Sequence, residues 1–349
     1  MFPQSETRPL ERILIIRLGA IGDILLATPV IRALAAEFPE GRIDFLTKEA
    51  YIGLLKANPG LAGVIAFPPD RGFRGLAETL RLVRSRRYDA VVDLQDSIRS
   101  RLLAFFSGSR IRRTVRIGRF RRFLLVRLRM DRYREAAPVP VKYLNAVEDL
   151  GAADDGKGLD LAVDPAARES VNSRLGRLGI GNRSKIVALA PGAGRKTKRW
   201  PAERFAETGR RFGELGFRIA VLGGSRDADV CSAVTAGAGR FAVSFCASAS
   251  LAETAALLER CSLLVTNDTG VMHMASALRI PTVAVFGPTT RHFGFFPFRS
   301  PATVLERNLP CRPCSFHGTD RCPEAHFNCM RTISSDEAVS AAEKLLKTE

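Results

Sequence analysis

Two glycine-marked turns, each closing a run of apolar residues, constrain this chain more than any other feature. The first is Gly19-Ala20-Ile21-Gly22-Asp23, which follows the mainly apolar stretch RILIIRL, residues 12–18; the second is Asn267-Asp268-Thr269-Gly270-Val271-Met272-His273, which follows residues 262–266. A short apolar run ended by a glycine turn and followed by a helical pattern reads as a buried parallel strand feeding a helix. Two such starts, far apart in one chain, predict two similar lobes facing across a cleft, with a carboxylate on one side acting on a ligand whose phosphates are held on the other.

The chain between and after the turns continues the alternation. Apolar strand candidates recur at residues 43–46, 62–67 and 90–94, then at 186–190, 218–222 and 282–286, with helical patterns at 202–215, 227–236, 251–260 and 271–278. The helix after the first turn runs to about residue 38, with Thr28 and Pro29 suited to a cap and a first helical position. This spacing predicts an α/β fold with two open parallel sheets rather than a closed barrel. A polar, glycine-rich stretch at residues 151–158 separates the halves, so the expected domains are 1–158 and 159–333, and Gly151, Gly156 and Gly158 mark a hinge. Residues 334–349 form a last helix whose Leu345 and Leu346 pack back on a lobe. With 349 residues and 46% apolar content, the chain can fill two cores.

Charge narrows the partners. Lys and Arg total 53 against 36 acids, a formal +17, so an anionic partner is expected: a phosphorylated glycan, nucleic acid or an acidic membrane face. Residues 99–134 concentrate the excess, with thirteen arginines, one acid (Asp131) and many Phe and Leu. Residues 1–9 lack an apolar signal core, and no stretch reaches the roughly 18 uncharged residues of a spanning helix, which reads as cytoplasmic. Of the seven cysteines, Cys231, Cys246 and Cys261 lie in or beside apolar segments and read as small core residues. The others, Cys311, Cys314, Cys322 and Cys329, follow C-x2-C-x7-C-x6-C near His317 and His326. That spacing is compatible with a tetrahedral zinc site, although reduced local packing is the preferred reading and a reducing compartment argues against disulfides.

Candidate site residues cluster at the strand ends. A dinucleotide fingerprint is incomplete at the first turn: it has only Gly19 and Gly22, and the second strand ends in Leu46-Thr47-Lys48 with no acid. Asp23, at the carboxyl edge of a strand, either caps free helix amides or abstracts a proton from an alcohol within hydrogen-bond reach. The loop PGAGRKTKRWP, residues 191–201, follows a strand and precedes a helix, and its cations suit a diphosphate. It lacks the P-loop order. Lys198 is the phosphate-binding candidate there, and Arg195 and Lys196 read as solvated charges. At the second turn the amides of Thr269, Gly270 and Val271 point at an anion from a helix N-terminus, with the Thr269 hydroxyl as a further donor. His273 faces the same phosphates or bonds to its loop, and Asp268 orients backbone or caps the helix.

Several motifs in order carry a family resemblance: RLGAIGDILLATPVIRAL, LAPGAGRKTKRWPAERFAE, VLGGSRDAD and LLVTNDTGVMHMASALRIPTVAVFGPT. Together they are similar to glycosyltransferase family 9, the bacterial heptosyltransferases of the lipopolysaccharide inner core. The resemblance implies a GT-B fold with two Rossmann-like lobes, acceptor on the first and ADP-heptose on the second, and inverting transfer without an essential metal or other cofactor. It implies Asp23 as general base and Lys198 as phosphate ligand, with Gly22, Thr197, Asp268, Thr269, Gly270, Val271 and His273 around the donor. A glutamate that contacts the donor ribose in the family falls at Asp227, one methylene shorter. The segment from Cys311 to Met330 looks like that of the second heptosyltransferase branch, which implies an already heptosylated core as acceptor. A family 9 transferase with another acceptor or nucleotide sugar, as in the first or third branch, and a non-catalytic nucleotide-sugar binder are the alternatives. Trp200 reads as packing rather than stacking on adenine.

The implied mechanism is a single displacement in which Asp23 takes the acceptor proton while Lys198 and the amides of residues 269–271 stabilise departing ADP. The acceptor is a lipid A-core molecule, anionic and anchored in the inner membrane. Arg110, Arg112, Arg113, Arg119, Arg121 and Arg122 are therefore its candidate ligands, and the basic segment is expected to draw the protein to the anionic cytoplasmic leaflet as a peripheral protein. Nothing in the chain matches a nucleic-acid recognition motif, and a monomer is expected.

Overall fold

The computed structural model describes residues 10–133 and 136–347. Residues 1–9, read above for a signal core, and Arg134, the end of the basic segment, lie outside the described residues. The chain forms two compact units: residues up to 117 with 140–157, and residues 118–139 with 158–349.

The first unit holds a five-stranded sheet of β1 (Arg12–Ile16), β2 (Arg42–Lys48), β3 (Gly63–Phe67), β4 (Ala90–Asp93) and β5 (Ile111–Thr114) in the order β3-β2-β1-β4-β5. All its pairings are parallel, Ile13 standing beside Ile43 on one side and Ala90 on the other. A central parallel strand has neighbours at both edges and helices on both faces, so every position from Ile13 to Ile16 is buried and the sequence shows a run rather than an alternation. Strand order reverses between β1 and β4, and the carboxyl ends there open the crevice in which such sheets bind ligands.

The second unit repeats the plan with β6 (Ile186–Ala190), β7 (Arg218–Val221), β8 (Ala242–Ser244), β9 (Leu263–Asn267), β10 (Thr282–Phe286) and β11 (Ala302–Glu306). Its order is β11-β10-β9-β6-β7-β8, again parallel throughout, with the reversal between β6 and β9. Trp200, Phe205 and Phe212 form its core with the strand valines and the helix Ser335–Leu346, whose half-buried Leu345 and Leu346 pack against that core. That last helix begins in a capping box: the Ser334 hydroxyl accepts from the Glu337 amide and the Glu337 carboxylate accepts from the Ser334 amide. The expected α/β class, two Rossmann-like lobes with open parallel sheets, is what the chain builds.

Three local features differ from the sequence reading. The strands β5, β8 and β11 are absent from it; each is an edge strand, only partly buried, and none carries the long apolar run that reveals the edge strand β3. The helix after the first turn is broken into Ile21–Leu25 and Thr28–Glu37, and Thr28 is not its cap, because its hydroxyl donates back to the Leu25 carbonyl at 2.7 Å while Ala27 takes the cap position. Finally, the described part of the basic segment from residue 118 onward packs in the second unit instead of the N-terminal domain. Arg129 donates to the Pro313 carbonyl at 2.6 Å, Val139 N–H to Gly294 O, and His292 lies 3.2 Å from Asp131. The Arg122 guanidinium sits over the rings of Phe293 and Phe295, and Leu125 is buried. These partners follow β10, so the segment's apolar and aromatic contacts override its place in the chain.

Candidate functional site

At the β1 end of the first unit, Arg17 closes the strand and turns its guanidinium inward. Its Nη1 donates to the Leu94 carbonyl beyond β4 at 2.7 Å, and its Nη2 lies 2.6 Å from Asp23 Oδ1. Burial disfavours the Arg17 charge, but Tyr143 and the carboxylates of Asp23 and Asp93 more than offset it, so the guanidinium is held above its ordinary value. The other Asp23 oxygen accepts from the Ala20 amide at 3.1 Å, the reach-back that starts the helix Ile21–Leu25. Capping and a catalytic role are therefore not exclusive: both oxygens are oriented, yet the side chain keeps 20% of its surface open, enough to take a hydroxyl proton. Gly22 stands half-exposed beside it, and Gly19 leaves room for the Tyr51 ring, whose Cε2 would lie 2.7 Å from an added Cβ.

At the switch point of the second unit, the loop after β6 and the turn after β9 are stitched by Asn267. Its Oδ1 accepts from the Trp200 amide at 2.9 Å and its Nδ2 donates to the Pro191 carbonyl at 2.8 Å. This brings Lys198 Nζ to 2.6 Å from Asp268 Oδ2, which also accepts from the Thr289 hydroxyl at 3.0 Å. A carboxylate repels phosphate, so Asp268, only 8% exposed, acts by aiming the lysine. Thr269 is the extended N-cap of the helix Gly270–Ala277, and the first amides of a helix have no intrahelical acceptor. Thr269, Gly270 and Val271 are half-exposed, so a cation, a helix N-terminus and open backbone amides meet at one strand end, an arrangement suited to an anion such as a diphosphate. His273 is buried, one turn deeper.

Other candidates are engaged within the fold. The Thr197 hydroxyl donates to the Thr319 carbonyl at 2.8 Å and accepts from the Thr319 amide at 2.7 Å, so Thr197 ties the cationic loop to the cysteine-rich segment. Gly318 lies against the Lys198 stem, where an added Cβ would come within 2.8 Å. Asp227 accepts from Arg199 at 3.0 Å and rests on Gly192, which has no space for a Cβ beside the carboxylate. Trp200 is packed inside, its Nε1 donating to the Ile333 carbonyl. The basic segment is divided: Arg110, Arg112 and Arg113 belong to the first unit, Arg119, Arg121 and Arg122 to the second. Arg113 is held by Asp149 at 2.6 Å, and Arg112 donates to the Phe105 carbonyl. Among the described residues, no three His, Cys, Asp or Glu are grouped to hold a metal ion, and all seven cysteines are free thiols. Burial pushes Cys329 up to about 11 and Cys261 up to about 12.

Arg17, Asn267 and Thr289 escape the sequence reading as site residues. Arg17 has a signal, a charge directly after the buried apolar run Ile13–Ile16; the partners of Asn267 and Thr289 are distant in sequence.

Comparison with known proteins gives a consistent picture. The family described as glycosyltransferase family 9 (heptosyltransferase) matches residues 76–326. Lipopolysaccharide heptosyltransferase 2 of Escherichia coli (strain K12) is 27% identical over 296 residues, 81% of this chain and 84% of that protein. Lipopolysaccharide heptosyltransferase 1 of Pseudomonas aeruginosa is 29% identical over 326 residues, 87% of this chain and 86% of that one. The crystal structure of a family 9 glycosyl transferase from Veillonella parvula DSM 2008 has a TM-score of 0.83 at 25% identity, covering 97% of this chain and 98% of that chain.

Proposed function

This chain belongs to glycosyltransferase family 9, and from that membership we propose that it transfers heptose, with inversion, from ADP-heptose to a hydroxyl of the heptosylated lipopolysaccharide inner core. The observation that carries the reading is Lys198, aimed by Asp268 at 2.6 Å beside the open N-terminus of the helix Gly270–Ala277. In the proposed step, Asp23 accepts the acceptor proton as the hydroxyl oxygen attacks the anomeric carbon. The bond from that carbon to ADP breaks, and the diphosphate leaves with the electron pair toward Lys198 and the amides of Thr269, Gly270 and Val271. Thr197 and Asp227 act behind these groups, holding the loop.

The test is incubation with ADP-heptose and defined core acceptors, the product identified by mass spectrometry. A gain of one heptose with acceptor-dependent ADP release is expected; donor binding without turnover would make the chain a non-catalytic binder. A second reading, transfer to the acceptor of the first heptosyltransferase branch, is favoured by the 29% identity with the Pseudomonas protein and is decided by which acceptor gains mass.

The proposed acceptor is lipid-borne, so the protein works at the anionic leaflet, as a peripheral protein held there by its basic surface. Among the described residues no helix is long and apolar enough to cross a membrane. Alanine at Arg110, Arg112, Arg119 and Arg121 is expected to raise acceptor KM while leaving ADP-heptose binding nearly intact. A loss of donor affinity with unchanged acceptor KM would reject the acceptor role.

A further inference from the structure

The helix Ile98–Phe106 has two apolar faces, and the fold uses only one. Leu103 and Ala104 are buried with Ser100 and Ser107 around them, forming the inner face. Ile98, Leu102, Phe105 and Phe106 point outward with exposures of 80%, 39%, 62% and 45%. Their spacing of four, three and one places them within an arc of about 100° on the helix. Arg99 and Arg101 border that arc on its two sides, both exposed. From Ile98 to Ile117 the chain has six arginines and no acid. The Arg112 guanidinium lies 5.2 Å from the Phe105 ring, covering one side of it while the rest stays in water.

We propose that this outer face is a membrane-docking surface, whose apolar side chains enter the interfacial region of an anionic bilayer while the bordering arginines meet lipid phosphates. The inference rests on the reading of a lipid-borne acceptor and deepens it: attachment depends on inserted Ile and Phe side chains as well as on net charge. Charge complementarity selects the occupant. Arg101 donates through Nε to Asp96 at 2.7 Å, but Asp96 is itself buried, so the exposed border of the stripe is cationic. An aromatic and aliphatic stripe with such a border fits a surface that is apolar below and anionic above, which is the chemistry of a bilayer interface.

The experiment uses the full chain and vesicles of phosphatidylethanolamine with phosphatidylglycerol. Ile98→Trp places a reporter on the face, and brominated lipids are expected to quench it with a blue-shifted emission; Trp200, buried in the other unit, serves as an unquenched internal reference. Phe105→Ser/Phe106→Ser is expected to weaken vesicle partitioning about tenfold or more. What binding remains should be abolished by salt. Turnover on a water-soluble core fragment should be unchanged. Absence of vesicle binding, a reporter at position 98 that stays unquenched on bound protein, or unaltered partitioning of the double variant would overturn the proposal. So would a dimer in sedimentation that the double variant dissolves, because the face would then be covered by a second copy. Quenching without any heptose transfer would instead reject the functional reading and leave the docking surface standing.

Discussion

Asp23 carries two duties on one carboxylate, and the distances separate them. Its Oδ2 accepts from the Ala20 amide while Oδ1 pairs with Arg17. Asp23→Asn keeps an oxygen for the amide but removes the basic oxygen, so kcat should fall by roughly 10²-fold or more with donor affinity little changed. Near-normal turnover on a verified substrate would exclude it as the base. Lys198→Ala acts on the leaving group instead. It removes the cation and leaves Asp268 facing the helix N-terminus with Thr289 alone, so kcat/KM for ADP-heptose should drop by about 2 to 4 kcal/mol in transition-state binding. An unchanged kcat/KM would sink that assignment. Asp23 and Lys198 stand out in the chain as candidates because each lies close to a glycine turn, and the family resemblance supplies their proposed roles. Arg17 shows only as a charge closing an apolar run and Asn267 not at all, since they are positioned by atoms 77 and 67 residues away.

Central strands announce themselves, while of the four edge strands only Gly63–Phe67, an apolar run, does so. Residues 186–190 and 282–286 are buried at every position because both faces and both edges are covered, whereas Ile111–Thr114 alternates half-buried and exposed residues and reads like part of a basic loop. The sheets then do a job no strand does alone, which is to set two carboxyl ends side by side. Asn267, wholly buried, holds the end of β9 to the loop after β6 through the Trp200 amide and the Pro191 carbonyl. Asn267→Ala leaves these groups unpaired at about 1–3 kcal/mol each. A lower Tm and a higher KM for ADP-heptose are expected, with kcat less affected because Lys198 and Asp23 remain. Unaltered Tm and KM in calorimetry and steady-state kinetics would show that the loop is held by other means. The cysteine-rich segment belongs to the same element-scale support, through Thr319 on Thr197 and Gly318 on the Lys198 stem.

For the molecule as a whole, the chain passes between its units at 117–118, 139–140 and 157–158, where the sequence reading places a single linker ending at residue 158. A site-specific protease sequence placed between Gly156 and Lys157 therefore should not free the two halves. The fragments are expected to co-elute in native buffer, because residues 118–139 remain docked in the second unit through Arg129 on Pro313 and Val139 on Gly294, and to separate only in denaturant. Separation under native conditions would mean that this arm contributes little to the second unit. Sequence alone determined the fold class and the two strand-to-helix turns, since these follow from apolar periodicity and from short glycine-punctuated motifs; Asp23 and Lys198 are its candidates for base and phosphate ligand, on the family resemblance. Tertiary structure decided which unit owns the second half of the basic segment, which residues aim the site's charges, and which face of the helix Ile98–Phe106 is left in water. The physical reason is the same in each case: these depend on contacts between residues remote in sequence, where an arginine, an asparagine or a phenylalanine has no local pattern to reveal its partner.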